Sequence, residues 1–454
     1  MVRVLIPSGA LGLNYDKVAL ERGIAAKPDI IAIDGGSTDS GPAYLGQGVS
    51  KYARESTKRE WKGLMEARAK AGVPLVLGTS GTCGTDSAVE WMLDMTRAIA
   101  DELGQSVKIA VLRCSQNAER LRSSFSRNRI APLSGAPDIT IDTFSACTNI
   151  VALAGAEQIN AALQTGADII LAGRTTDTAI IAALPLARGC HAGAAWHGAK
   201  IGECGALCAS NPQSGVILVD FDEAGFTITP LADGAHATPH TVSAHMLYEN
   251  SDPFILYEPG GHLDVTGAEY TALDDTRVRV VGSKWVPSDR YTVKLEGTVI
   301  EGYQSVLLST IRDPRYVQNA PAWAADVQAE CRAKVMDRLE LQSENFQIEV
   351  RLIGIDATLG GLEANGPRPR EVGAMGIVTA ATQELASDIA KILDPYLLHH
   401  PLTPDEEQPS FAFPFSPVEL RRGALYNFAL NHVLTLEDPM DAFSLEVVHS
   451  VANP

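Results

Sequence analysis

The sequence predicts an α/β chain: an N-terminal doubly wound, mainly parallel sheet domain over residues 1–210, then an α+β domain over 211–454. Two rhythms and one length carry this expectation. In the first half, short β-branched apolar runs alternate with longer stretches of helical periodicity, the pattern of βαβ units. After about residue 210 strand-like runs follow one another with fewer helices between them. A chain of 454 residues also exceeds one ordinary hydrophobic core, so two domains are expected.

In order, buried strands are expected at 2–6, 29–33, 75–77, 108–112, 139–141 and 168–172, each bounded by turn residues. Helices are expected over 51–71, 86–103 and 154–164. In the first of these, Trp61, Leu64, Met65 and Ala69 recur at helical spacing and mark a buried face. Residues 215–220 and 225–229 read as a hairpin, and 277–281, 291–295 and 304–310 as further strands. A helix over 322–339, a strand over 346–353, a helix over 382–398 and strands near Tyr426 and Ser444 close the chain, with 402–409 a polar loop.

Composition excludes whole classes of function. With 45% hydrophobic and 20% charged residues, coiled coil, collagen and wholesale disorder are ruled out. The 37 Lys and Arg against 55 Asp and Glu give a net charge of -18. Such a field repels phosphate, so neither nucleic acid nor an anionic membrane is an expected partner. A small anionic metabolite would need its own Arg, Lys or backbone N–H site. No apolar run approaches the roughly 20 residues that span a bilayer, and the first residues lack the length of a signal peptide. The seven scattered cysteines fit a reducing compartment, and a cytoplasmic location is expected. Cys204 and Cys208 have no second pair nearby and do not make a zinc frame.

Ligands of open parallel sheets sit beyond the carboxyl ends of the strands, so the post-strand loops are the place to look. After Ile33 runs Asp34-Gly-Gly-Ser-Thr-Asp-Ser-Gly, after Leu77 Gly78-Thr-Ser-Gly-Thr-Cys-Gly-Thr-Asp, and after Ala172 Gly173-Arg-Thr-Thr-Asp-Thr. Asp34 and Asp39 suit proton transfer or oxygen ligation of a divalent cation; capping of their own loop is the bland alternative. Ser37, Thr38, Ser80, Gly81 and Thr82 are the expected substrate-binding loop residues. The 78–84 loop offers backbone N–H groups at a helix start, an anion site or merely a tight turn. Cys83 is a weaker candidate nucleophile, since no histidine pairs with it recognisably. Arg174 and Asp177 form either an internal salt bridge or a carboxylate clamp with its orienting partner.

In the second half, His236, His240 and His245 match no zinc spacing. His245 is expected to face core or solvent. Glu258-Pro-Gly-Gly-His262-Leu-Asp264 is the more ligand-like stretch. Glu258 and His262 are expected to act in acid–base catalysis, with Glu258 and Asp264 as the candidate metal ligands. Lys294 and Glu296 read as a solvated pair on one strand face. The cofactor is left open: a divalent cation such as Mg²⁺ or Mn²⁺ fits, and there is no NAD, flavin or PLP signature.

These loops, with Ala167-Asp-Ile-Ile-Leu-Ala-Gly-Arg, Gly202-Glu-Cys-Gly-Ala, Tyr291-Thr-Val-Lys-Leu-Glu-Gly, Ile311-Arg-Asp-Pro and Phe413-Pro-Phe-Ser-Pro, resemble the acyclic terpene utilisation AtuA-like family in one order along nearly the whole chain. The family often carries Gly-Ala where Thr82-Cys83 stand, which weighs against Cys83 as a nucleophile. The resemblance implies catabolism of branched or acidic carbon skeletons, sometimes beside a small companion protein. Together with the residues it leads to the expectation of a lyase or hydratase acting on a small carboxylic acid or its CoA thioester, and of a homo-oligomer. The alternatives are an isomerase of the same substrates, or a metabolite-binding subunit completed by a partner chain.

Overall fold

The structure, a computed structural model, describes residues 1–363 and 369–451. It divides into two compact units, residues 1–299 with 428–454 and residues 300–427.

The first unit is built on a ten-stranded sheet. At its centre Val2–Ile6, Ile30–Asp34, Leu75–Gly78, Ile169–Ala172 and Val107–Arg113 lie side by side, all parallel. Alternate residues of each strand enter opposite cores. Val4, Ile6, Ala32 and Val76 pack on one face, while Leu5, Ile31, Ile33 and Leu77 pack on the other. That is why these strands read as continuous apolar runs rather than alternating ones. Arg54–Ala71 and Asp86–Leu103 cover one face through Trp61, Leu64, Met65, Val89 and Met92. Trp61 buries its ring fully and still donates its indole N–H to Thr96 Oγ1 at 2.9 Å, so no polar atom is stranded. Ala156–Gln164, Ala179–Ala187 and Ala192–Gly202 cover the other face. The mainly parallel, doubly wound sheet expected of the first half is therefore present.

The change of rhythm near residue 210 is a change of strand direction. Ile217–Phe221 pairs antiparallel with Val2–Ile6 and continues into Gly225–Pro230, Val278–Val281 and Glu269–Ala272. The hairpin thus extends the first sheet, and the first compact unit runs on to residue 299. Ser444–Ser450 closes the other edge, antiparallel to Val107–Arg113. Two strand expectations need correction. Residues 139–141 form no strand, because Ile141 is 37% exposed and the segment has no pairing partner among the described residues. The strands there are Ile130–Pro132 and Asn149–Ala152. The runs at 291–295 and 304–310 are one strand, Tyr291–Ile311, whose glycines and glutamates disguise its continuity.

A small sheet of Ile255–Glu258, Gly261–Asp264 and Lys284–Pro287 completes the first unit. In the second unit Phe346–Ile353 and residues 303–311 flank Val372–Ala380, antiparallel throughout. Val372–Ala380 alternates buried and half-buried residues without a break, and Pro314–Leu339 and Gln383–His399 cover its apolar face. No helix among the described residues is long and apolar enough to cross a membrane.

Candidate functional site

Parallel strands end on one side, so their following loops meet. Gly35 N–H donates to Gly78 O at 2.7 Å, and Ser80 N–H donates to Ala172 O at 2.9 Å. This contact places the Asp34, Ser80 and Arg174 loops on one edge, as right-handed βαβ crossovers require. The fit is close. A Cβ on Gly84, which has φ +65°, would stand 2.2 Å from Arg174 N. Gly84→Ala is expected to cost about 1–3 kcal/mol by displacing backbone. Gly104→Ala, at φ +62° with nothing of the described residues within 4 Å, is the control that carries the backbone strain alone. Thermal denaturation of both variants separates crowding from strain.

Four N–H groups of the 78–84 loop are bonded within the protein rather than turned to a ligand. The N–H groups of Ser80, Thr82, Cys83 and Gly84 donate to Ala172 O, Thr79 O, Gly81 O and Ser80 O. The helix start behind it is also satisfied, with Asp86 N–H on Ser115 Oγ at 2.9 Å and Thr85 capping Ala88. Ser80 is fully buried and Gly81 packs against Ala88, so of the three expected loop residues only Thr82 lines a pocket.

Arg174 is buried and its guanidinium faces a partner from its own chain. Nε and Nη2 bond the carboxylate of Glu296 at 3.1 and 3.4 Å, Nη1 reaches Thr79 Oγ1 at 3.3 Å, and Asp177 lies at 3.8 Å. Thr38 Oγ1 at 3.0 Å and Lys294 Nζ at 3.0 Å complete the ring of donors on Glu296. Burial alone would raise the Glu296 pKa, but Arg174 and Lys294 hold it down at about 2. The carboxylate clamped by Arg174 is therefore Glu296, and Thr38 belongs to this knot. Glu296, read from the sequence as solvated, is 4% exposed.

Beside the knot lies a pocket of about 470 Å³ lined by Asp34, Ser37, Asp39, Asp177, Glu203 and Glu249, among others. A second pocket of about 250 Å³ shares Asp39, Asp177, Glu203 and Glu249 with it and adds Lys200 and Glu258. Asp39 is exposed, and its carboxylate accepts the Ser37 hydroxyl. Asp34 is buried, with Oδ2 accepting Gly36 N–H at 2.9 Å and Oδ1 left without a partner among the described residues. Burial and the nearby Asp177 raise the Asp34 pKa well above the usual carboxylate range. Burial also pushes Asp177 up to about 6 against the pull of Arg174, and Glu258 up to about 7 against the Thr178 and Thr176 hydroxyls. Glu258 Oε1 accepts from Thr178, while its buried Oε2 has no partner among the described residues.

The small sheet separates Glu258 from the residues expected to work beside it. Tyr257 pairs with His262 and Glu258 with Gly261, so successive side chains take opposite faces. Glu258 points inward to Thr178, whereas His262 shares the outer face with Tyr257, which is 78% exposed. His262 lines neither pocket. Asp264 pairs with Ile255, three rungs from Glu258, and its carboxylate accepts Thr266 N–H. Glu258 and Asp264 are not brought together as metal ligands.

The group that sequence reasoning passed over follows the helix Ala192–Gly202. Lys200 and Glu203 pair with side chains only 4% and 5% exposed, and Lys200 Nζ also donates to Tyr248 O at 2.9 Å. Burial pushes Glu203 up to about 8 against the pull of Lys200. The segment Gly202-Glu-Cys-Gly-Ala was the available signal, but its spacing names no chemistry. Among the described residues, the larger pocket is lined by five carboxylates and a single cation, Lys51.

A family model described as Acyclic terpene utilisation family protein AtuA matches residues 47–405. No curated protein and no solved structure matches the chain.

Proposed function

The chain belongs to the acyclic terpene utilisation (AtuA) family, and from that membership we propose a catabolic hydro-lyase that adds water to, or removes it from, an acyl chain held as a CoA thioester. One observation carries the reading. Asp177 and Glu258 line the same pocket, with pKa values of about 6 and about 7. Two carboxyl groups that exchange protons near neutrality are what hydration of an unsaturated thioester needs. Asp177, the lower of the two, takes a proton from water as its oxygen bonds to Cβ, and Glu258 delivers its proton to Cα. Elimination runs the same steps backwards. The thioester is favoured over the free acid because Arg174 is committed to Glu296 and the N–H groups of Ser80, Thr82, Cys83 and Gly84 are bonded within the protein. A thioester carbonyl is uncharged and needs no cation of its own at the acyl end.

The test is an assay of the purified protein with branched enoyl-CoA and 3-hydroxyacyl-CoA esters beside the matching free acids, following the conjugated thioester chromophore. Turnover of thioesters only is expected. The base limb requires Asp177 ionised and the acid limb requires Glu258 protonated. The log kcat/KM profile should therefore rise through about 6, peak, and fall above about 7, the two limbs belonging to the pair. Binding of thioesters without turnover would replace this reading by that of a metabolite-binding subunit needing a companion protein. Preference for the free acids would remove the thioester assignment.

A further inference from the structure

Where the helix Ala192–Gly202 ends, the chain places three donors of different chemistry at one point. One oxygen of Glu203, the sulfur of Cys204 and one ring nitrogen of His245 all lie within 4.8 Å of one another. We propose that these three residues hold a zinc-class divalent ion in the wall of the larger pocket.

His245 supplies an independent observation. The residue is 4% exposed, yet its Nε2 has no hydrogen-bond partner among the described residues. A buried ring nitrogen left bare costs roughly 1–3 kcal/mol, so an unnamed partner is implied. Tyr248 stacks on the ring at 5.4 Å and 16°, fixing its plane without offering a polar contact. Lys200 Nζ bonds Oε1 of Glu203, one of its two carboxylate oxygens. Cys204 is held from behind, where a Cβ on Gly9 would already stand 3.0 Å from its Cα. Cys208, four residues on, turns its sulfur to Gly205 O at 3.5 Å and takes no part.

The donor set selects the ion. Thiolate, imidazole and carboxylate together suit Zn²⁺ and its spectroscopic substitute Co²⁺ better than Mg²⁺, which takes oxygen almost alone. A tetrahedral ion roughly 2.0–2.3 Å from each donor spaces the donors about 3.3–3.8 Å apart. From within 4.8 Å, side-chain movements of about 1 Å complete the sphere. Thiolate and carboxylate neutralise the ion, and Asp177 and Glu249 in the same wall favour positive charge there, against the opposing charge of Lys200. Three protein ligands beside an open pocket leave the fourth position to water or a ligand oxygen, as catalytic rather than structural zinc sites do.

The site stands apart from the acid–base reading, which rests on Asp177 and Glu258. Metal binding without turnover leaves the site standing, and turnover by metal-free protein leaves the hydro-lyase standing. The experiment is titration of chelator-treated full-length protein with Co²⁺, followed by displacement with Zn²⁺ and elemental analysis after dialysis. One equivalent per chain is expected, with a thiolate-to-cobalt charge-transfer band that Zn²⁺ abolishes. Cys204→Ser should lose the band, and His245→Ala and His245→Gln should weaken binding at least about 100-fold. Cys208→Ser should change neither, and circular dichroism confirms that each variant is folded. No stoichiometric binding by the native chain, a band that survives in Cys204→Ser, or an affinity unmoved in folded His245 variants would overturn the proposal.

Discussion

Glu296→Ala is expected to lower the stability of the protein by about 3–5 kcal/mol, because it strands a buried guanidinium. Among the described residues Arg174 has no other carboxylate within 3.5 Å, its next being Asp177 at 3.8 Å. Arg174→Ala should cost a similar amount by leaving Glu296 to Thr38 and Lys294 alone. Arg174→Lys should cost less than the deletion but more than a surface change, since an ammonium cannot copy two parallel N–H bonds. Acid offers an orthogonal check. The Glu296 pKa is depressed from 4.5 to about 2, so its stabilisation is complete above 4.5 and is lost as pH falls through about 2. Native protein should lose melting temperature across that window. Glu296→Gln should lose its stability at neutral pH and show a shallower acid slope. Equal slopes for the two proteins would mean that Glu296 is not the ionised centre of the knot.

Asp177→Asn is expected to separate activity from stability. If Asp177 is the base that activates water, kcat for thioester hydration should fall by about 10²–10⁴. Stability should move the other way above neutrality. The Asp177 pKa is raised from 3.8 to about 6, so the contribution of its folded environment is whole below 3.8 and is lost as pH rises through about 6. At pH 7.5 the native protein carries an ionised carboxylate in a place that disfavours it. Asparagine removes that charge, and a gain on the order of 2 kcal/mol is expected there, shrinking towards pH 4. Melting curves at the two pH values, beside the assay, decide it. A variant both less active and less stable at pH 7.5 would identify Asp177 as a structural partner of Arg174 instead.

Much of the fold was legible in the residues. The parallel strands announce themselves because both of their faces are buried, so the apolar run is unbroken and turn residues bracket it. Helix 86–103 was readable for a similar reason, with Thr85 capping its start and Gly104 in the left-handed conformation ending it. What failed depended on partners distant in sequence. Residues 139–141 have β-branched composition and nothing to pair with among the described residues, while Asn149–Ala152 is a strand only because residues 295–298 lie alongside it. Strand propensity is realised by neighbours.

The site divides along the same line. That the strand-end loops would converge follows from handedness, and Asp34, Asp39, Asp177 and Glu258 do line the two pockets. Which groups touch there is a matter of tertiary charge pairing. Glu296 and Lys294, two apart on a strand, look like a solvated pair until Arg174 arrives from 122 positions away. His262 looks like an active-site imidazole until strand alternation turns it outward from Glu258. His245 looks like filler until one of its ring nitrogens is found within 4.8 Å of donors on Glu203 and Cys204.

The last strand of the great sheet, Ser444–Ser450, pairs residue for residue with Val107–Arg113. On the ribosome those two strands are separated in time by the whole of residues 300–427, which form a unit of their own. Until the final segment emerges, the nascent first unit exposes an unpaired row of amides beside Ile109, Val111 and Leu112, the kind of edge along which chains pair wrongly. A chain truncated after residue 427 is thus expected to aggregate rather than fold. Fusions and tags belong where they do not hinder that late strand from docking.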